Sequence, residues 1–162
     1  MGRLLTTALL CTLVWARPCA AQQGGPPPAG TAPARAEQPL FAEEATPSEA
    51  TLGVTVYPAA VFLTSYDAGK GQRYYLFGST ASFAEIVAYY RTLLKDKGTL
   101  VFEQPPTHGF DVGKYNEDTM AFPPGVTVKD YTWGNSGGYL NPKPNAQPPR
   151  FATVIQIVPA PR

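Results

Sequence analysis

An α+β domain is expected, with one main helix packed on a mainly antiparallel sheet, in the order β-β-α-β-(β)-β-β. Three observations predict it. A turn sequence at 67–71 carries two glycines and separates two runs rich in strand-forming residues. A capped stretch beginning at Ser82 repeats its apolar residues at helical spacing. Beyond it, short apolar or alternating runs at 99–103, 126–133 and 151–158 read as strands.

The domain occupies residues 51–162, with its elements between Leu52 and Pro159. Ala60–Tyr66 and Gln72–Phe77 form the expected hairpin around Asp67-Ala68-Gly69-Lys70-Gly71. Gly69-Lys70-Gly71 lacks the spacing of a phosphate loop, and a strand follows it where that loop needs a helix. Ser82-Phe83-Ala84-Glu85 is a capping box, in which each end residue can satisfy a backbone N–H at the other. Phe83, Ile86, Val87, Tyr90, Leu93 and Leu94 make one apolar face, and Gly98 is placed for a left-handed cap.

Thr99–Glu103 follows as a strand and is stopped by Pro105-Pro106. Phe110–Lys114 is a candidate short strand. Val126–Trp133 alternates, with Val126 and Val128 on one face and Thr127, Lys129, Tyr131 and Trp133 on the other. Phe151–Val158 is apolar on both faces, as a central strand requires. All nine tyrosines and Trp133 fall in this domain.

The segment ahead of it reads differently. Met1-Gly2-Arg3, an uncharged apolar run from Leu4 to Ala16, and Cys19-Ala20-Ala21 match a signal peptide at residues 1–21. The run is short for a membrane anchor, the rival reading. Ala16-Arg17-Pro18 ahead of Cys19 does not suit lipidation. Cleavage after Ala21 would remove both cysteines, and with them disulfide, thiolate and sulfur-ligand chemistry. Residues 22–50 are rich in proline, glycine and alanine and nearly free of large apolar side chains, which predicts a disordered tether.

Removal of Arg3 and Arg17 takes 13 basic residues to 11 against 12 acidic ones. So balanced a charge gives no footprint for nucleic acid and no polybasic membrane patch. No cofactor motif is present. His108 is the only histidine, so a histidine-cluster metal site is not expected.

Tyr57-Pro58-Ala59-Ala60, the hairpin, and Ser82-Phe83-Ala84-Glu85-Ile86-Val87-Ala88-Tyr89-Tyr90 resemble a pattern of small exported bacterial proteins of uncharacterised function. These have a "YPxA" start and an "SFxxVxxYY" helix. The resemblance covers Tyr57 to about Phe102. It implies a fold beginning and carries no activity or site residues.

Three surfaces are candidates for function. The first is the loop 134–150, seventeen residues without evident secondary structure, which is long for a compact domain. Tyr131, Trp133 and Tyr139 lie on or beside it and could bind a sugar ring or a protein partner. The simpler account is that Tyr131 and Trp133 pack beneath the loop. The second is His108, a possible general base with Asp111 as its orienting carboxylate and Ser65, Ser79 or Ser136 as nucleophile, although none sits in a G-x-S-x-G elbow. The third is a pair of carboxylates from among Glu103, Asp111, Glu117, Asp118 and Asp130. Asp130 shares the Val126 and Val128 face and would there need a cation such as Arg73 or Lys114.

The leading expectation is an exported, non-catalytic binding or scaffolding domain of the bacterial envelope, periplasmic or secreted, whose partner is an unidentified envelope protein or glycan. The alternatives are an envelope glycan or peptide hydrolase and a small-ligand carrier with its pocket between helix and sheet. Convergence of His108 or two acids in a cleft favours the hydrolase. An enclosed apolar cavity beneath Phe83 and Tyr90 favours the carrier. A filled core with Trp133 and Tyr139 exposed favours partner binding.

Overall fold

The computed structural model describes residues 45–161. The expected signal peptide at 1–21, and the expected tether as far as residue 44, lie outside the described residues. The described part of the tether is not featureless at its end. Ser48 caps a single helical turn, α1 (Glu49–Leu52), by accepting the Thr51 N–H at 3.3 Å. Gly53 closes the turn at φ 71°, where a side chain would be strained. Burial of Leu52 in the core holds this turn against the sheet domain.

Six strands form one sheet. They are β1 (Val61–Gly69), β2 (Gln72–Ser79), β3 (Thr99–Gln104), β4 (Thr107–Asp111), β5 (Gly125–Asp130) and β8 (Thr153–Val158). The spatial order is β1-β2-β8-β5-β4-β3, with every neighbouring pair antiparallel. Two very short strands, β6 (Tyr139–Leu140) and β7 (Arg150–Phe151), pair separately as a ribbon. The one main helix, α2 (Phe83–Leu93), follows the first hairpin. The domain is therefore α+β and mostly sheet.

Strand β8 comes last in the chain and lies in the middle of the sheet. Ile155 pairs with Phe77 of β2 on one side and Val128 of β5 on the other. Ile157 likewise sits between Tyr75 and Val126. The expected two-sided burial holds, since Val154 and Ile155 point to opposite faces and both are buried. The expected single strand from Phe151 is, however, divided by a bend at Ala152 into β7 and β8.

The core lies between α2 and one face of the sheet. Ile86, Val87, Tyr90 and Leu94 meet Phe62, Phe77, Phe110, Val126, Val128, Ile155 and Ile157. Burial of such side chains contributes about 1.5–3 kcal/mol each. Ser82 caps α2 as expected, its hydroxyl accepting the Glu85 N–H at 3.3 Å. The Glu85 carboxylate does not return to Ser82 and instead accepts the Tyr57 hydroxyl at 2.5 Å. The Tyr90 hydroxyl, inside the core, accepts the Tyr57 N–H at 3.2 Å. Tyr57 also stacks edge-on against Tyr89, with centroids 5.2 Å apart. The two halves of the "YPxA…SFxxVxxYY" pattern are thus in contact.

Gly98 does not form the expected left-handed cap. The helix closes at Leu94, whose N–H donates to the Tyr90 carbonyl at 2.9 Å. Glycine suits position 98 for space, because a Cβ there would lie 3.1 Å from the Leu94 Cβ and 3.3 Å from the Asp111 carbonyl oxygen. Strand β5 ends at Asp130, so Tyr131 and Trp133 are not strand residues as expected. Strand β4 begins at Thr107, three residues before the expected strand. Among the described residues no helix is long and apolar enough to cross a membrane.

The ribbon is docked on the face opposite α2 through Phe151, which is fully buried. A Cβ on Gly78 would fall 2.5–2.7 Å from three atoms of the Phe151 ring. Gly78→Ala is therefore expected to cost about 1–3 kcal/mol through overpacking, read as a lower urea midpoint. Adding Phe151→Leu should recover part of that loss if the ring is the cause. Tyr90→Phe, which removes the acceptor for the Tyr57 N–H, should cost about 1 kcal/mol in the same assay.

Candidate functional site

The segment 131–151 is built on the end of β5 and returns to β8. Tyr131 donates its N–H to the Ala152 carbonyl at 2.8 Å, which fixes the start of the segment against the bend. A 3₁₀ turn follows at Trp133–Asn135, with Gly134 at φ 67° and Asn135 at φ 63°. Glycine and asparagine tolerate that left-handed region best. The Ser136 hydroxyl donates to the Tyr131 carbonyl, and Gly138 N–H reaches the same oxygen at 3.2 Å.

The loop 134–150 is not without secondary structure, as its composition suggested. Leu140 pairs with Arg150 and Tyr139 with Phe151. Asn141 Nδ2 donates to the Pro148 carbonyl at 2.9 Å, and the Arg150 guanidinium donates to the Gly138 carbonyl at 2.9 Å. These side chains supply bonds that the proline-rich backbone cannot.

Of the three aromatic candidates Tyr131 and Tyr139 are brought together, and the three differ in exposure. Tyr131 and Tyr139 are half-buried and meet edge to face, with centroids 5.0 Å apart. Trp133 is 58% exposed, so the expectation that it packs beneath the loop does not describe it. Burial, followed by the neighbouring Tyr66 and Tyr131 hydroxyls, holds the Tyr139 hydroxyl above its ordinary pKa. Tyr66 packs on Tyr74 across the β1–β2 pair, with centroids 5.4 Å apart. Tyr66 was absent from the sequence-based candidates, since only the return of the ribbon brings Tyr139 towards it.

His108 lies inside β4 and not in a loop. It is opposite Glu103 on β3 and Val128 on β5, faces α2, and is 3% exposed. Its ring packs on Phe110, with centroids 4.9 Å apart. Asp111 is three residues along the same strand, and strand alternation therefore turns it to the other face. The His108–Asp111 pair is not assembled. Ser65 accepts from the Arg73 guanidinium, Ser79 accepts the Ala81 N–H, and Ser136 serves its own turn.

The carboxylates are also dispersed. Glu103 pairs with Arg91 of α2, which the sequence-based reading missed. The tight Pro105-Pro106 connection places Glu103 opposite His108 and so towards the helix. Glu117 and Asp118 belong to the β4–β5 connection, where the Asp118 N–H donates to Asn116 Oδ1 at 2.9 Å. Asp130 is only half-buried and takes no cation. Its Oδ1 accepts both the N–H and the hydroxyl of Thr132, each at 2.7 Å, and so forms the turn after β5. Among the described residues no group of three or more His, Cys, Asp or Glu could hold a metal ion.

Burial, followed by the charge of Arg91, holds His108 below its ordinary pKa. The unfolded chain therefore takes up a proton as pH falls through about 6.5, whereas the folded chain does not until lower pH. Stability from this group is fully present above about pH 6.5 and is lost between there and the folded pKa. The thermal midpoint should fall between pH 7 and pH 5. His108→Leu should flatten that slope if the variant folds, and an unchanged slope would contradict the assignment. The chain matches no protein-family model, no curated protein and no solved structure.

Proposed function

We propose that the protein is an exported, non-catalytic binding domain of the bacterial envelope, and that it engages its partner through the Trp133 turn. The carrying observation is the exposure of Trp133 above a constrained base. The Tyr131–Tyr139 pair, the Ser136 and Asn141 bonds and the buried Phe151 all restrict the segment that presents the indole. A large, pre-positioned aromatic surface contributes contact area with little ordering cost. Leu140 of β6 is also exposed.

An envelope glycan or an envelope protein fits this chemistry, because indole and phenol rings stack on sugar faces and anchor protein interfaces equally well. The near-neutral charge gives no electrostatic reason to prefer a polyanion. Export rests on the leader-like residues 1–21, and the tether would hold the domain away from the envelope surface.

Purified protein incubated separately with envelope glycan and with solubilised envelope proteins should retain a component from one of them. Trp133→Ala should weaken that retention at least about tenfold, as expected of a central aromatic anchor. Tyr139→Ala should weaken it less, acting through the position of the turn. If both variants fold and retain every component as the parent does, the proposal fails.

A further inference from the structure

Strand β3 is one edge of the sheet, and its outer side has no strand partner. Apart from the β3–β4 ladder, residues 99–104 make no backbone–backbone hydrogen bond among the described residues. An open row of N–H and C=O groups is a template for another strand. All six residues of β3 are exposed. Leu100, Val101 and Phe102 stand in succession at 43%, 54% and 47% exposure, so the edge offers apolar surface as well as backbone groups.

Edges are commonly guarded by lysine, proline or bulges. Thr99–Gln104 holds no lysine and no proline. Its one irregularity is at Val101, which has no partner in register on β4. That irregularity gathers apolar side chains on one face. A Cβ on Gly109 would lie 3.6 Å from the Phe102 Cβ and 3.7 Å from the Val101 Cγ2. His108 and Phe110 face α2, so Gly109 turns to the opposite face, and Val101 and Phe102 lie there with it. The other edge, β1, is better guarded. It carries two register shifts, and its exposed apolar residues, Val61 and Tyr66, stand apart.

We propose that the free edge of β3 pairs, antiparallel, with β3 of a second copy of this chain. The two-fold axis then passes through the sheet, and each face continues into the same face of the other copy. Val101 and Phe102 of both copies form one apolar strip, as cross-strand neighbours do. The charges favour this partner in this direction. Glu103, already paired with Arg91, is the only charged residue of β3. Lys97, just ahead of the strand, has no acidic partner among the described residues. Antiparallel pairing brings the Glu103 end of each copy to the Lys97 end of the other, whereas parallel pairing would set Glu103 beside Glu103. The contact consumes both β3 edges and leaves the guarded β1 at each end, so the assembly closes as a dimer. Trp133 is not on β3, and the pairing does not rest on the partner surface proposed above.

The test is sedimentation equilibrium of the purified protein from about 1 µM to about 1 mM, with amide hydrogen exchange at both ends of that range. The protein should pass from monomer to dimer, and amides within 99–104 should gain protection as it does. Val101→Lys, at an exposed position outside the core, should raise the dimer dissociation constant at least about tenfold. Val61→Lys, on the other edge, should leave it unchanged. A monomer across the whole range, protection gained only outside β3, a dimer indifferent to Val101→Lys, or one weakened equally by Val61→Lys would each overturn the proposal. So would a purified protein that stays monomeric and gains β3 protection only when envelope proteins are added, which would assign the edge to a foreign strand.

Discussion

The pairing of β8 with both β2 and β5 is the constraint on which the rest of the sheet depends. The β1–β2 hairpin and the β3–β4–β5 meander have no strand pairing with one another. They become one sheet only when the last strand enters between them. That strand must arrive late, at large sequence separation, and must be apolar on both faces. Val154, Ile155, Ile157 and Val158 meet the requirement. The helix depends on the same seam, because Ile86, Val87 and Tyr90 pack on a surface shared by β2, β8 and β5.

The seam also determines what each face can present. On the helix side, side chains from all three central strands are consumed by the core. On the other side, the bend at Ala152 lets the chain leave the sheet just before β8 begins. Phe151 then covers Gly78, the ribbon pairs over a few residues, and Trp133 is presented at the end of β5. The Trp133 turn is thus a product of that strand insertion. Gln72 performs a related task at the far end of the hairpin. Its amide accepts the N–H groups of Ala121 and Phe122 and donates to the Phe122 and Pro159 carbonyls, which ties the β4–β5 connection and the end of β8 to β2.

Local signals were readable from the residues alone. The hairpin around Gly69 and Gly71, the Ser82 cap, the apolar face of α2 and the two-sided burial of β8 each follow from short-range spacing. The misreadings arose where a distant partner decides the outcome. Glu85 prefers the Tyr57 hydroxyl, which comes from 28 residues upstream, over its own helix end. Gly98 serves close approach to Asp111 and not a backbone angle. Asp130 is the exception, since it satisfies itself within its own turn. His108 fell outside the expected strand at Phe110–Lys114, whereas β4 begins at Thr107 and is flanked by two strands that supply its order. Of the site, only the nearness of Tyr131, Trp133 and Tyr139 to one loop was legible, and the Tyr131–Tyr139 contact depends on the pairing of the ribbon. The approach of Tyr66, and the ion pair beside His108, required the full topology.

The central functional claim is that Trp133 is occupied when the protein is in place. Hydroxyl-radical footprinting of the protein in the envelope where it is proposed to act, set against the purified protein, tests this without any substitution. The account predicts that Trp133 becomes protected in the envelope, while Tyr115, exposed in the β4–β5 connection, reacts alike in both samples. Equal reactivity of Trp133 in the two samples would contradict it.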